Sequence, residues 1–366
     1  MYYLPTDTSI MTFPATLSRT ERILLCLALV VIIIIGIRMA VSFVTIVLVA
    51  LILTLMLYPA TRWLRTKGLP GLAAVSVVTI VAALCIILIA FLTVSSFNVI
   101  IADIPQYQDE LSARLADVTA FLSAHGISAG QLTSVTPNLE NIIPTLVSSL
   151  MNLGEDLMNI FFIVVVTFFM LLEAPLMIER VELMLKAEPE KRRHLSRMSG
   201  YVIDFIVVRT ETNLVHGTLF GGALAIMGVH GAILWGVLTF LLGYIPYFGL
   251  IIVAIPAIFF AWLQFGVWGA VAVIVIVCIL NLIVENPVFS YLAARKFEIP
   301  ALVVILSVIF WGWLLGLAGM LFAVPFTLML MTLFQFSDEL RWINVLMGVE
   351  NLFDGAVPET GAAEDT

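Results

Sequence analysis

Glu285-Asn286, with Asn281 one helical turn earlier on the same face, is the group best placed to do chemistry in this 366-residue chain. A carboxylate beside two amides can orient a polar solute or exchange a proton. The group closes an apolar run, and an ionisable side chain at membrane depth is a functional candidate by default. Arg209, Glu211, Asn213 and His216, with Asp204 nearby, open another apolar run. Each group also has a plainer reading. Glu285 could be a helix-end carboxylate paired with Arg295 or Lys296, and Arg209 with Glu211 an interfacial ion pair. His216 could relay protons, since histidine titrates near neutrality, or be hydrogen-bonded packing. Glu173 and Arg38 read as residues at span boundaries.

Other chemistries find no support. His125, His194, His216 and His230 are scattered, with no HExxH or clustered Cys/His spacing for a metal. No phosphate loop and no GxSxG elbow is present, which argues against ATP-driven transport and intramembrane hydrolysis. No cofactor and no enzymatic activity is expected. Cys26, Cys85 and Cys278 lie in separate apolar runs and read as small packing hydrophobes.

The elements that must position these groups are membrane helices. Hydrophobic residues make up 62% of the chain and charged ones 11%, against about 25% charged in a soluble domain. The formal net charge of −8 shows no basic face for nucleic acid. Residues 1–100 carry three spans, Ile23–Gly36, Met39–Tyr58 and Leu72–Val99, and residues 101–157 form an acidic region. In that region Leu111, Leu115, Val118 and Leu122 recur at helical spacing. Residues 158–212 hold a fourth span, ended by Glu173-Ala174-Pro175, and basic amphipathic helices split at Glu188-Pro189. Leu195, Met198, Val202, Phe205 and Arg209 share a face there, as in a helix lying on the membrane surface and leading inward. A fifth span, Leu214–Val229, opens a core over 213–337, and an acidic tail fills 338–366. Lys and Arg concentrate in the N-terminus, the 62–67 loop and 177–210. The positive-inside rule then makes both termini cytoplasmic and the acidic region external.

Two apolar segments in the core, 231–264 and 299–335, are interrupted. The first carries Gly243, Pro246, Gly249 and Pro256; the second Gly312, Gly316, Gly319 and Pro325. Gly243 and Gly312, Ala254 and Ala323, and Pro256 and Pro325 stand 69 apart (312−243, 323−254, 325−256). A break frees amides and carbonyls that lipid cannot satisfy, so it must be buried in protein or line a wet cavity. Paired breaks of this kind point to a transporter's binding site, with two ordinary kinked hairpins as the bland alternative. The span Val267–Val284 separates the two segments, so they enter from opposite faces as an inverted pair. Charge does not distinguish re-entrant hairpins from full crossings. The expected fold is an all-α polytopic membrane protein of about six to eight spans plus the two broken hairpins.

Several motifs resemble the autoinducer-2 exporter (AI-2E) family. Leu241-Leu242-Gly243-Tyr244-Ile245-Pro246-Tyr247-Phe248-Gly249 is similar to its "IPyiG" segment, and Glu285-Asn286 to its "EN". Ile299-Pro300-Ala301-Leu302 through Gly312, Gly316, Gly319 and Ala323-Val324-Pro325 resembles its final stretch, and Val208-Arg209-Thr210-Glu211 its "yirgq". The chain departs at Gly243, where Asn is common, at Thr210 and Glu211, which replace Gly-Gln, and at Pro287. The resemblance implies export of small polar solutes such as autoinducer-2, with sodium (lithium)/proton antiport in some members. It also implies a bacterial inner-membrane location and a homo-oligomer, a pentamer in the exporter type, with elevator-like motion.

The expected function is export of a small polar solute across the bilayer by alternating access. In that reading the freed backbone near the breaks binds the solute and Glu285 orients or protonates it. One alternative is a cation/proton antiporter, in which Glu285, with Glu211, exchanges H+ for Na+. A non-transporting membrane scaffold is the rival from another class.

Overall fold

A computed structural model describes residues 18–102, part of 110–124, and residues 153–287, 299–337 and 340–348. Expectations placed on Leu115, Val118 and Leu122, on Arg295 and Lys296, and on the tail beyond 348 lie outside the described residues. The described secondary structure is helical throughout. Helix α1 (Arg19–Met39) starts at a capping box, in which Ser18 Oγ accepts from the Glu21 amide and Glu21 accepts from the Ser18 amide. It turns at Ala40 into α2 (Val41–Thr66), followed by α3 (Gly71–Ala102) and α4 (Leu153–Met184). Glu173-Ala174-Pro175 does not end the fourth span: α4 runs through Pro175 to Met184. Cys85 and Cys278 lie exposed on helix surfaces rather than packed inside.

Pro189 does open a new helix, at its first position, where the missing N–H costs nothing. That helix, α5 (Pro189–Met227), is one continuous rod of 39 residues, so there is no separate surface helix followed by a fifth span. Met198, Val202, Phe205 and Arg209 do share its buried face. α6 (Ala232–Leu242) returns along α5, and α7 (Gly249–Leu280) follows a turn over 243–248. A π-helical turn, Asn281–Glu285, ends α7. α8 (Ala301–Leu321), α9 (Ala323–Gln335) and the short α10 (Arg341–Leu346) complete the described order.

α5 and α6 touch through glycine. A Cβ on Gly217 would lie 2.5 Å from the Gly236 carbonyl oxygen, and one on Gly221 would lie 3.0 Å from Gly236 Cα. This is small-xxx-small packing, which lets two backbones approach where lipid gives no hydrophobic drive. The run Gly217-Thr218-Leu219-Phe220-Gly221 carried that signal. Gly217→Leu is therefore expected to abolish monodisperse folded protein in size-exclusion chromatography. Gly222→Ala, with no heavy atom within 4 Å of its Cβ, should leave the profile and the Tm unchanged.

Five described helices are long and apolar enough to cross a bilayer, and two of them fold back on themselves. In α7, Gly266 takes φ 69°, ψ −159°. The chain reverses there, so Leu250 and Ile251 line the same cavity as Asn281 and Glu285. In α8 the reversal is Gly316, at φ 69°, ψ −147°. Such values suit glycine alone. The remaining expected breaks are corrected accordingly. Gly312 and Gly319 lie within α8, Pro256 lies inside α7, Gly249 and Pro325 lie in first turns, and only Gly243 and Pro246 belong to an open turn.

Two hairpins adjoin these reversals: the first turns at 243–248 and ends at Gly266, and the second folds at Gly316 itself. In the first, α6 and residues 249–265 are antiparallel: Trp235 packs on Phe260 with ring centroids 5.6 Å apart, and the His230 amide donates to Gln264 Oε1 at 3.2 Å. α6 spans only about 16 Å (11 residues at 1.5 Å), too short for about 30 Å of hydrocarbon. In the second, Trp311 Nε1 donates to Thr327 Oγ1 and Thr327 to Ser307 Oγ, both at 2.9 Å, tying one arm to the other. The hairpins occupy successive stretches of α5. Val303, Val324 and Met331 cluster with Met198, Val202 and Ile206, while Trp235, Val253 and Ala257 cluster with Phe220 and Leu224. They meet where Ile245 packs on Val308 and Ala323.

Candidate functional site

The meeting point lies beside Arg209. Its Nη1 donates to both carboxylate oxygens of Glu285 at 3.0 Å, with the two side chains 5% and 17% exposed. Arg209 projects from the buried stripe of α5, and Glu285 from the π turn ending α7. Pro287 gives that turn a physical cause: it brings no N–H and its ring crowds the carbonyl four residues back, at Ile283, so the α ladder cannot continue. Widened turns of this kind recur at functional sites.

A cavity of about 230 Å3 opens there, lined by Arg209, His216, Gly243, Asn281, Glu285 and Asn286, with Thr239, Tyr247 and apolar Ile245, Leu250 and Ile251. Tyr247 holds a left-handed backbone, φ 65°, among the turn residues at the hairpin tip. Such strain in a non-glycine residue gathers at ligand clamps. The Tyr244 hydroxyl meets Thr210 Oγ1 at 2.6 Å, fastening the tip to α5. Asn213 is 1% exposed, and its Oδ1 would lie 2.5 Å from a Cβ on Gly243. The glycine at 243 is what makes room for that amide.

Beside the cavity, Asn213 Nδ2 and His216 Nε2, on residues 1% and 3% exposed, are buried without a hydrogen-bond partner among the described residues. A buried polar atom left unpaired costs about 1–3 kcal/mol, so both favour a polar ligand. No group of three or more His, Cys, Asp or Glu able to hold a metal occurs among the described residues.

The sequence-predicted residues thus divide. Arg209, His216, Asn281, Glu285, Asn286 and Gly243 line the cavity, and Asn213 abuts it through Gly243. Glu211 does not join them: two residues past Arg209, it lies on the exposed side of α5, and the partner of Arg209 is Glu285 instead. Glu173 pairs with Arg180 at 3.5 Å on the surface. Arg38 donates to the Trp313 carbonyl. Thr239, Tyr244 and Tyr247 were missed as site residues, although Tyr244 and Tyr247 stand inside the broken motif itself.

A polytopic helical protein that holds a charged pair in a cavity beside a hairpin turn, with unpaired buried polar atoms next to it, is built as a membrane transporter. The chain belongs to the AI-2E transporter family, whose sequence model matches residues 27–338. It is 32% identical over 337 residues to a putative transport protein of Haemophilus influenzae, covering 90% of this chain and 96% of the relative. It is 31% identical over 311 residues to the AI-2 transport protein TqsA of Escherichia coli K12, covering 84% of this chain and 90% of TqsA. The putative transport protein YhhT of the same organism is 27% identical over 309 residues, covering 84% of this chain and 88% of YhhT.

Proposed function

We propose that this protein exports a small, uncharged polar solute by alternating access past the two hairpin tips, AI-2, the solute in the name of TqsA, being the first candidate. The observation that carries the reading is the Arg209–Glu285 pair in a cavity with the unpaired Asn213 Nδ2 and His216 Nε2 at its edge. The pair cancels its own charge, so a neutral solute enters without displacing either partner. Amides, imidazole and hydroxyl then supply donors and acceptors, and Ile245, Leu250 and Ile251 face the carbon skeleton. The volume of about 230 Å3 is at the small end for a ligand pocket, which suits a small metabolite. Positive-inside bias supports cytoplasmic termini, and family resemblance supports an inner-membrane location and a homo-oligomer.

Proteoliposomes loaded with autoinducer-2 test this directly. The parent protein should release it faster than protein-free vesicles. Asn213→Leu should slow release about five- to tenfold, the worth of one hydrogen bond of about 1–1.5 kcal/mol. Equal release with and without protein would remove this solute, and an untargeted comparison of extracellular metabolites would then name another.

A further inference from the structure

The two helix reversals are one backbone device used twice. Gly266 and Gly316 share φ 69° with ψ −159° and −147°. Three residues on, Gly269 and Gly319 lie against the carbonyl eight residues earlier. A Cβ there would stand 2.4 Å from Ala261 O and 2.0 Å from Trp311 O. Both glycine pairs are offset by 50 (316−266, 319−269). Each reversal turns away the amide that would have bonded the carbonyl three residues before the glycine, since a helix end leaves its last carbonyls unpaired.

Those two carbonyls are Leu263 and Trp313 (266−3, 316−3), and each accepts a hydrogen bond from an arginine outside its hairpin. Arg114 Nε donates to Leu263 O at 3.0 Å, and its Nη2 to Gln264 O at 3.3 Å. Arg38 Nη1 donates to Trp313 O, and its Cζ sits 5.0 Å over the Trp313 ring. A guanidinium suits the place twice over. It satisfies carbonyls that lipid would leave bare, and its charge complements the negative end of the helix dipole. Arg38 comes from the last turn of α1 and Arg114 from the acidic region.

We propose that Arg38 and Arg114 are a matched pair of positioning residues, one latching each hairpin by its reversal to the helices around it. Moving a hairpin then requires its guanidinium–carbonyl bond to break first. Losing either arginine loosens one hairpin and leaves the Arg209–Glu285 contact chemically intact. The proposal rests on the transport reading only in what the movement is for.

The test uses the full chain in liposomes, with Cys26, Cys85 and Cys278 changed to Ala and a single cysteine at Thr239, which lines the cavity and is 2% exposed. A membrane-impermeant maleimide added on each side in turn reports how often the cavity opens. Arg38→Ala and Arg114→Ala should each raise the labelling rate about tenfold, equivalent to about 1.4 kcal/mol. Arg38→Lys and Arg114→Lys, which keep a charged donor but lose the fork, should fall between parent and Ala. Labelling within twofold of the parent in both Ala variants, even with a lowered Tm, would overturn the latch and leave two static caps. Should an Ala variant not fold, Gln at that position replaces it, with the same two outcomes. Failure of autoinducer-2 release in every protein, parent included, would count against the proposed solute and not against the latch.

Discussion

Arg209→Met is expected to lower stability by about 3–5 kcal/mol and to abolish transport, the largest single effect in the molecule. The substitution leaves the Glu285 carboxylate, 17% exposed, facing a hydrocarbon side chain. Breaking a buried pair from one side costs far more than the net worth of the pair, because the stranded charge has no partner and little access to water. Glu285→Gln strands the guanidinium instead but keeps an oxygen that can accept from Nη1, so its loss should be smaller. Combining Arg209→Met with Glu285→Leu should recover much of the stability and none of the transport. A double-mutant cycle on denaturant unfolding in detergent reads the coupling. Additive effects would mean that the two side chains do not sense each other.

The second large effect is at hairpin 2. Gly319→Ala places a methyl 2.0 Å from the Trp311 carbonyl oxygen, a backbone atom that cannot swing aside. The two arms must part, with a loss of about 1–3 kcal/mol or more from overpacking. At Gly316 the outcome is the same by another route. Nothing lies within 4 Å of its Cβ, yet φ +69° strains any side chain there by about 1–3 kcal/mol. D-Ala at 316, introduced by semisynthesis, should therefore be tolerated, since its backbone preference is the mirror image, whereas D-Ala at 319, where the backbone is right-handed helical, should not. Tm values of the four proteins separate clash from strain. Equal behaviour of the two sites would refute the distinction.

The membrane class, the helical spans and the existence of two broken hairpins were legible because lipid makes composition and backbone interruption visible in one dimension. The place of the breaks was less so. Matching Gly243 to Gly312 and Pro256 to Pro325 follows residue type, but the backbone repeats at 50 residues through Gly266 and Gly316. Gly266 escaped notice as a lone glycine between Phe265 and Val267, where only its conformation marks the reversal. Pro175 and Pro256 misled in the opposite sense, since neighbouring helices can absorb a proline inside a membrane helix. The ion pair was beyond any spacing rule. Arg209 and Glu285 stand 76 residues apart and join only because α5 and the π turn converge. Glu211 was grouped with Arg209 on proximity in the chain, though two residues along a helix turn a side chain to the far side.

The length of α5 has a mechanical corollary. Its 39 residues span about 58 Å at 1.5 Å each, nearly double the oily slab of about 30 Å. Close to half of this beam must therefore stand in water or headgroups, and the end bearing Lys191, Arg192 and Arg193 is the part able to do so. A push or a tilt applied at that basic handle travels without a joint to the guanidinium that holds Glu285. The candidate cavity at the middle of this beam and the aqueous surface at its basic end are thus joined by a single lever.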